Sequence, residues 1–515
     1  MKLAAIDIGT NSIHMVIAQA SHKNSFQIID REKEMVKLGT GVFSTNRLSE
    51  RAFKEGLETI KRYVQLADQR GADEIITAAT SAIREAHNGS EFLNELVRQT
   101  GISPEVISGG KEARLIFQAV KNEIALHDDN AMVIDIGGGS TEIAVGNKQE
   151  VLMGKSMKLG VLRLLDMFDG ESKVGEEALG VLQAHIRFVA QNVMAEAKKI
   201  GFTRVIGTSG TIRTLGEAAH IAAGGKSMKS VNAEVVKLTD LDDLTKELLK
   251  MKPNKRAAMN GIGDKRADAI HLGGALLVQL LQMAGVEEIT LCDASLREGL
   301  ILDYLESHAQ NIANFPESKD LRQRSAFQLA HQFKVDWQQK MHVASLSVQL
   351  FDQTQKIHEL EHFERDILEY ASLLHSVGQY IRFKRYHKHS RYIIGHAGLR
   401  GFNDEEILLI SHVARYHRKA EPKKKHKKYK KLSKGQRKVV KVLSAILRVA
   451  VSLDRTKNQL IKEVACKHSK KKLALQIAGQ PENMKLELWA TRKHVDPLAK
   501  ALEKEVSVEA IHGEK

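Results

Sequence analysis

IDIGTNSIHMVIA (residues 6–18) and IDIGGGSTEIAVG (residues 134–146) are two versions of one device. Each reads as an apolar strand ending in an aspartate, Asp7 or Asp135. A glycine turn with small hydroxyl or amide side chains follows, then a second apolar strand. A hairpin of this kind gathers backbone N–H groups and Ser, Thr or Asn donors around a small cavity with a carboxylate at its rim. Such a cavity suits phosphate oxygens together with a divalent cation. The recurrence predicts a duplicated α/β domain with a cleft between its halves, and chemistry in that cleft.

Asp7, Thr10, Asn11 and Ser12 form the first loop. Hairpin turns use Asn and Gly for backbone reasons of their own, so one such loop alone says little. In the second loop Gly137, Gly138 and Gly139 let the backbone approach an oxyanion closely, and Ser140 and Thr141 add donors. Asp135 and Glu142 put two acids into a loop otherwise built for anions, which makes sense if Mg²⁺ shares the site. A glycine turn without a ligand is the plain alternative.

A third segment, GTSGTIRTL (207–215), sets Thr208, Ser209, Gly210 and Thr211 after a strand expected over 204–211 and at the start of a helix. Helix N-termini bind anions through free N–H groups and the dipole, and N-capping accounts equally for Ser or Thr there. Thr80 and Ser81 carry the same double reading, with Arg84 one turn further on and within reach of a phosphate. Glu112, in SGGKEARLIF (108–117), is the candidate base. A capping box from Ser108 needs its acid at position 111, which is lysine, although a first-turn acid also suits the helix dipole. Arg297 and Glu298 read either as a buried pair or as a contact across the cleft.

With 515 residues, 43% apolar and 27% charged, the composition is that of a globular protein of three or four domains and excludes a disordered or fibrous chain. The two cysteines, Cys292 and Cys466, exclude a disulfide framework and point to a reducing compartment. The segment before Asp7 is too short and too soon charged for a signal peptide, and no apolar run reaches membrane-spanning length. A cytoplasmic protein is expected. Net charge is +15, concentrated in EPKKKHKKYKKLSKGQRKVVK (421–441) and in RFKRYHKHSRY (382–392) before it. Nucleic acid, anionic lipid or polyphosphate would each neutralise such a block, and a solvated loop is the plain reading.

Periodicity predicts a helix over 48–67 with Ser49 at its cap, a strand over 74–80, and helices over 90–99 and 111–126. A polar break at 127–130 separates two α/β halves, 1–125 and 126–305. NIANFPESK (311–319) reads as a linker to a helical domain over 306–458. A small α+β tail follows over 459–515, with MKLELWA expected as strand. The helical region carries His342, His375, His389, His396, His412 and His417, with Asp454. A two-metal phosphohydrolase of the His-Asp type needs an aspartate directly after its central histidine, and Ser376 stands there instead. A scaffold that keeps this layout without the metals is expected.

Taken together the motifs resemble the exopolyphosphatase and guanosine pentaphosphate phosphatase family, Ppx/GppA, within the actin-like ATPase superfamily and its ribonuclease H-like fold. AAIDIGTNSIHMVIA, TAATSAIREA, ISGGKEARLIF, VIDIGGGSTEI, GTSGTIRTL and DASLREGLI follow the family's order through residues 1–302. LLHSVG, HKHSRYII and VARYHRK resemble, more loosely, the HD-like half of long exopolyphosphatases. The resemblance implies duplicated actin-like domains, an all-α HD-like domain and a small α+β domain. It makes Glu112 the catalytic glutamate that activates water. It makes Asp7, Thr10, Asn11 and Ser12 one phosphate loop and Gly137 through Thr141 the other. Mg²⁺ is held near Asp135 and Glu142, with Asp7 beside them, and Arg84 and Thr208–Thr211 make further phosphate contacts. Lys111 departs from long relatives, which often carry an acid or polar residue there.

The implied activity is processive release of orthophosphate from inorganic polyphosphate. Lys423, Lys424, Lys425, Lys427, Lys428, Lys430 and Lys431 then hold the rest of the polymer. Conversion of guanosine pentaphosphate to the tetraphosphate is the alternative at the same site, and a kinase or a non-catalytic sensor is more remote. No nucleic acid and no integral membrane segment are expected as partners, and a homodimer is expected from relatives alone.

Overall fold

Both quoted segments fold as antiparallel hairpins. β1 (Lys2–Ile8) turns into β2 (Ile13–His22) with Asp7 opposite His14. β6 (Ala131–Ile136) turns into β7 (Thr141–Gly146) with Asp135 opposite Glu142. Each hairpin gains a third antiparallel strand, β3 (Ser25–Glu34) or β8 (Val151–Met157), and a parallel strand on its other side, β4 (Glu74–Ala79) or β9 (Arg204–Thr208). With β5 (Glu105–Val106), β10 (Val235–Lys237) and β11 (Glu288–Leu291) the sheet orders are β3-β2-β1-β4-β5 and β10-β11-β9-β6-β7-β8. The shared run β3-β2-β1-β4 and β8-β7-β6-β9 is the duplicated α/β core of the actin-like ATPase fold. Helices pack on both faces, which is why β1, β6 and β7 are nearly continuous apolar runs.

This computed structural model describes residues 1–22, 25–126, 128–168, 174–308, 320–478, 482 and 484–511. Both sheets belong to one unit, Met1–Glu317, and a second unit spans Ser318–Lys515. His127 of the expected polar break and the expected linker 311–319 lie outside the described residues.

Three local differences from the sequence expectations have plain causes. The strand expected over 204–211 stops at Thr208, because Ser209 takes a left-handed φ of +85° and turns the chain directly into helix Ser209–Ala222. Helix Leu296–Ser307, expected with the second half, returns to the first. Its Leu296, Leu300, Ile301 and Leu305 share a core with Leu3, Ala5, Val16 and Ile116, and Gly299 abuts the Leu115 carbonyl with no room for a Cβ. MKLELWA is helical rather than extended, within Lys485–His494. Glu487, Leu488, Ala490 and Thr491 are buried while Leu486 and Trp489 are 58% and 56% exposed, which is helical rather than alternating spacing.

Helices dominate the second unit, from Leu321–Gln332 to Lys434–Leu453, followed by a sheet of β12 (Val464–His468), β13 (Lys472–Ala478) and β14 (Glu505–Ile511). Val464, Leu473, Leu475 and Leu498 share one core with Leu443 and Ile446, so the tail expected as a separate domain packs together with the helices. Among the described residues no helix is long and apolar enough to cross a membrane.

Candidate active site

The two hairpin loops meet. A Cβ at Gly138 would lie 3.1 Å from Thr10 Cβ and 3.4 Å from Asn11 Cβ, so the second loop sits closely against the first, with little room for a larger residue. Between them opens a cleft of about 180 Å³. Asp7, Thr10, Asn11 and Ser12 line it from one lobe, and Asp135, Gly137, Gly138, Gly139, Ser140 and Glu142 from the other. Glu112, Ser209, Gly210 and Thr211 line it as well.

Thr141, Thr208 and Arg84, expected as phosphate contacts, do not line the cleft. The Thr141 hydroxyl donates to Leu159 O at 2.5 Å, and the Thr208 hydroxyl to Ala294 O; both residues are fully buried and spent on backbone. Arg84 Nη1 donates to Ile107 O at 2.7 Å and meets Glu112 Oε2 at 3.3 Å, so its guanidinium is a partner of Glu112.

Glu112 stands in the first turn of helix Gly109–Glu123, whose cap is the Ser108 hydroxyl accepting from Lys111 N–H at 3.2 Å. Lys111 turns outward to Glu105 at 2.8 Å. Glu112 is only 7% exposed. Burial above all, then the nearby Glu142, holds its carboxyl well above the usual range, while Arg84 pulls the other way. The neighbouring acids share this condition. Burial raises Asp135 to about 8, with Glu142 and Asp7 adding to it. Asp7 rises to about 6 through burial, opposed by Arg297. Glu142 rises to about 7 through burial, tempered by hydroxyls including Ser156 at 2.7 Å. Asp7 Oδ1 and Asn11 Oδ1 are buried with no hydrogen-bond partner among the described residues.

Of the other wall, sequence reading marked only Arg297, as a buried pair or a contact across the cleft. Lys33, Arg213, Arg266 and Arg297 also line the cleft. Burial, and then the three arginines, push Lys33 down to about 8; burial and Arg213 lower Arg266 to about 10. Arg266 lies on Gly210, where any Cβ would collide with the guanidinium. Arg213 is ion-paired to Asp293, and Arg297 contacts His14 Nδ1. A guanidinium only donates, so His14 Nδ1 accepts and its proton sits on Nε2. That Nε2–H faces the Ser12 hydroxyl at 2.6 Å, leaving the Ser12 O–H free to donate into the cleft. These cations come from β3, from the helix after β9, from a loop and from helix Leu296–Ser307. Arg213 and Arg297 lie within quoted motifs, and no local motif announces Lys33 or Arg266.

In the second unit the lysines from Lys423 to Lys431 are exposed on a segment tied down by Tyr429, which is buried, and by His426 stacked on Tyr416 at 5.5 Å. The central histidines are committed to local partners. His375 Nδ1 meets Ser372 O at 2.7 Å, and its ring lies 4.7 Å from that of His417. His417 Nδ1 donates to Ala414 O at 2.6 Å while its Nε2 accepts from the Tyr386 hydroxyl at 3.0 Å. Asp454 accepts from Gln339 Nε2 at 2.6 Å.

Comparison with known proteins shows the family. A sequence profile of the Ppx/GppA phosphatase family matches residues 15–308, and one for domain III of the same phosphatases matches residues 321–493. The chain belongs to the Ppx/GppA phosphatase family. A relative from Aeromonas hydrophila, named guanosine-5'-triphosphate,3'-diphosphate pyrophosphatase, is 30% identical over 79% of each chain. Two solved structures are similar. An exopolyphosphatase from Cytophaga hutchinsonii is 28% identical with a TM-score of 0.56, covering 60% of this chain and 98% of its own. The Aquifex aeolicus family member is 26% identical with a TM-score of 0.52, covering 61% and 99%.

Proposed function

We propose that this Ppx/GppA phosphatase is an exopolyphosphatase that removes terminal orthophosphate from inorganic polyphosphate. The supporting observation is the composition of the cleft: a cluster of carboxylates beside a cluster of cations, and no Phe, Tyr or Trp among the lining residues. A chain of phosphates is satisfied by that surface, whereas a purine finds no Phe, Tyr or Trp there to stack on. The loop amides and the Ser12 hydroxyl receive the oxygens of the end phosphate, and Lys33, Arg213, Arg266 and Arg297 neutralise the phosphates that follow. Glu112, made more basic by burial, takes a proton from water as its oxygen bonds to the end phosphorus, and the bridging P–O bond on the far side breaks.

Mg²⁺ belongs to this reading. The orphaned Asp7 Oδ1, with Asp135 and Glu142 raised beside it, fits a divalent cation. Among the described residues no group of three or more His, Cys, Asp or Glu can enclose a metal unaided. Asp7 and Asp135 would hold it, with water and phosphate as further ligands in the manner of Mg²⁺. When bound it keeps the acids ionised and screens the phosphate oxygens.

The exposed lysines 423–431 hold the rest of the polymer in this proposal. Hydrolysis of guanosine pentaphosphate at the same cleft is the second reading, favoured by the name of the Aeromonas relative. Phosphate release from long polyphosphate and from guanosine pentaphosphate, measured side by side with and without Mg²⁺, tests both. A specificity constant for polyphosphate below that for the nucleotide would overturn the first choice.

A further inference from the structure

Helix Val161–Met167 begins directly behind the second glycine loop and takes up its carbonyls. Val161 N–H donates to Gly137 O at 3.1 Å and Leu162 N–H to Gly138 O at 2.8 Å. Arg163 continues the series with its side chain, Nε donating to Gly139 O at 2.7 Å. In a trans peptide the N–H points opposite to the C=O. Turning these carbonyls onto the helix therefore turns the amides of Gly138, Gly139 and Ser140 away from it. Among the described residues neither the Gly138 nor the Gly139 N–H meets an acceptor, and both glycines line the cleft. The fit is close: a Cβ at Gly160 would lie 2.5 Å from the backbone of both.

Arg163 does more than hold its own loop. Its Nη2 meets Glu85 Oε1, on the other lobe, at 2.7 Å, and its guanidinium lies 3.9 Å from the centre of the Phe43 ring, also on that lobe. Glu85 is itself fixed by the Ser81 hydroxyl at 2.9 Å and by Lys158 at 3.2 Å. Gly139 is wedged between, since a Cβ there would lie 2.5 Å from both Phe43 and Ser81. The Arg163 side chain is 11% exposed. One planar fork thus joins a loop carbonyl on its own lobe to a carboxylate on the other in a fixed geometry that a lysine ammonium reproduces only in part.

We propose that Glu85 and Arg163 form a clasp between the lobes, and that Arg163 is a positioning residue. It aims the amides of the Gly137–Gly139 loop into the cleft, and it is held in that task by Glu85 of the opposite lobe. The catalytic consequence rests on the reading that the cleft takes the terminal phosphate; the clasp itself does not.

The test uses the full chain and the variants Arg163→Met, Arg163→Lys, Glu85→Gln and the double Glu85→Gln/Arg163→Met. Arg163→Met is expected to lower kcat for polyphosphate by about 10–100-fold, the scale of a slightly misplaced reacting group. The KM for long polymer should stay within about threefold, as for an interaction used in the transition state. Arg163→Lys should restore part of the rate. Because the pair acts as one unit, the double variant should be no more than about twofold worse than Arg163→Met. Amide hydrogen exchange in segment 137–146 should quicken by about tenfold or more in Arg163→Met and measurably in Glu85→Gln. Unchanged exchange in both variants overturns the clasp, as do losses that simply multiply in the double variant. If Arg163→Met does not fold, Glu85→Gln and Arg163→Lys decide by the same readouts. A wild-type chain that releases phosphate from neither substrate would sink the catalytic reading, and the exchange measurement would still decide the clasp.

Discussion

Glu112 and Arg84 lie 3.3 Å apart at the edge of the cleft, and each sets the other's behaviour. Arg84 is the cation that opposes the upward push on the Glu112 carboxyl. Replacing it with Met leaves that push unopposed, so the pH at which the carboxylate forms rises. The acid limb of the pH–rate profile for Arg84→Met should move to higher pH; a limb that stays put or moves down would mean that Glu112 does not limit the rate there. At the other end of the acid cluster, Asp135→Asn should raise the Mg²⁺ concentration for half-maximal rate by about 10–100-fold, the usual scale for disturbing a metal's surroundings. A titration of rate against Mg²⁺ checks this. At this scale the sequence was readable where chemistry is local. Asp7, Asn11, Gly138 and Glu112 could be singled out because a hairpin or a helix start explains what they face. Lys33, Arg213 and Arg266 could not, since only the tertiary fold brings them together, and Arg297 was readable only as one of two alternatives. Thr141 and Thr208 show the reverse failure: a hydroxyl beside a glycine loop does not reveal whether it faces the ligand or a carbonyl.

Among elements, the hairpins carry the design. Asp135 stands opposite Glu142 where Asp7 stands opposite His14, so one copy supplies a second acid and the other a neutral ring that relays Arg297 to Ser12. Repetition made these strands and their turns legible. The exchange of Glu142 for His14 at the matching position became meaningful only once the register was known. The basic segment 423–431 makes a prediction of its own. Changing its lysines to glutamine should raise KM for long polyphosphate by about tenfold or more and leave short chains nearly unaffected, because a remote contact acts only on a polymer long enough to reach it. Equal effects on both would refute a polymer-holding role. The buried histidines of the second unit respond to acid. Burial, above all, lowers His417 to about 3 and His375 well below its ordinary value. Their unfolded forms take up protons below pH 6.5 while the folded forms do not, so stability is full above that pH and is lost as pH falls toward 3. Thermal melts from pH 7.5 to 5 should show a falling midpoint for this unit, and His417→Gln should flatten the slope.

For the molecule as a whole, two units with separate cores imply separable tasks. A chain ending at Glu317 keeps every residue of the cleft. It should fold and release phosphate from short substrates while losing its preference for long ones. The duplicated α/β architecture was legible from the repeated hairpins and the helical half from its periodicity. The return of helix Leu296–Ser307 to the first lobe was not, because an amphipathic helix does not name the sheet it will cover. The union of the tail with the helical core was hidden for the same reason. All of this serves one claim, that a buried carboxylate at the junction of two phosphate loops readies water for attack on a terminal phosphate. The most direct measurement is phosphate release and polyphosphate binding by Glu112→Gln beside wild type. The account predicts a fall in kcat of about 10²–10⁴-fold, the range for losing a general base, with polymer affinity unchanged. A variant that keeps its rate within about threefold, or one that loses binding and rate together, would contradict it.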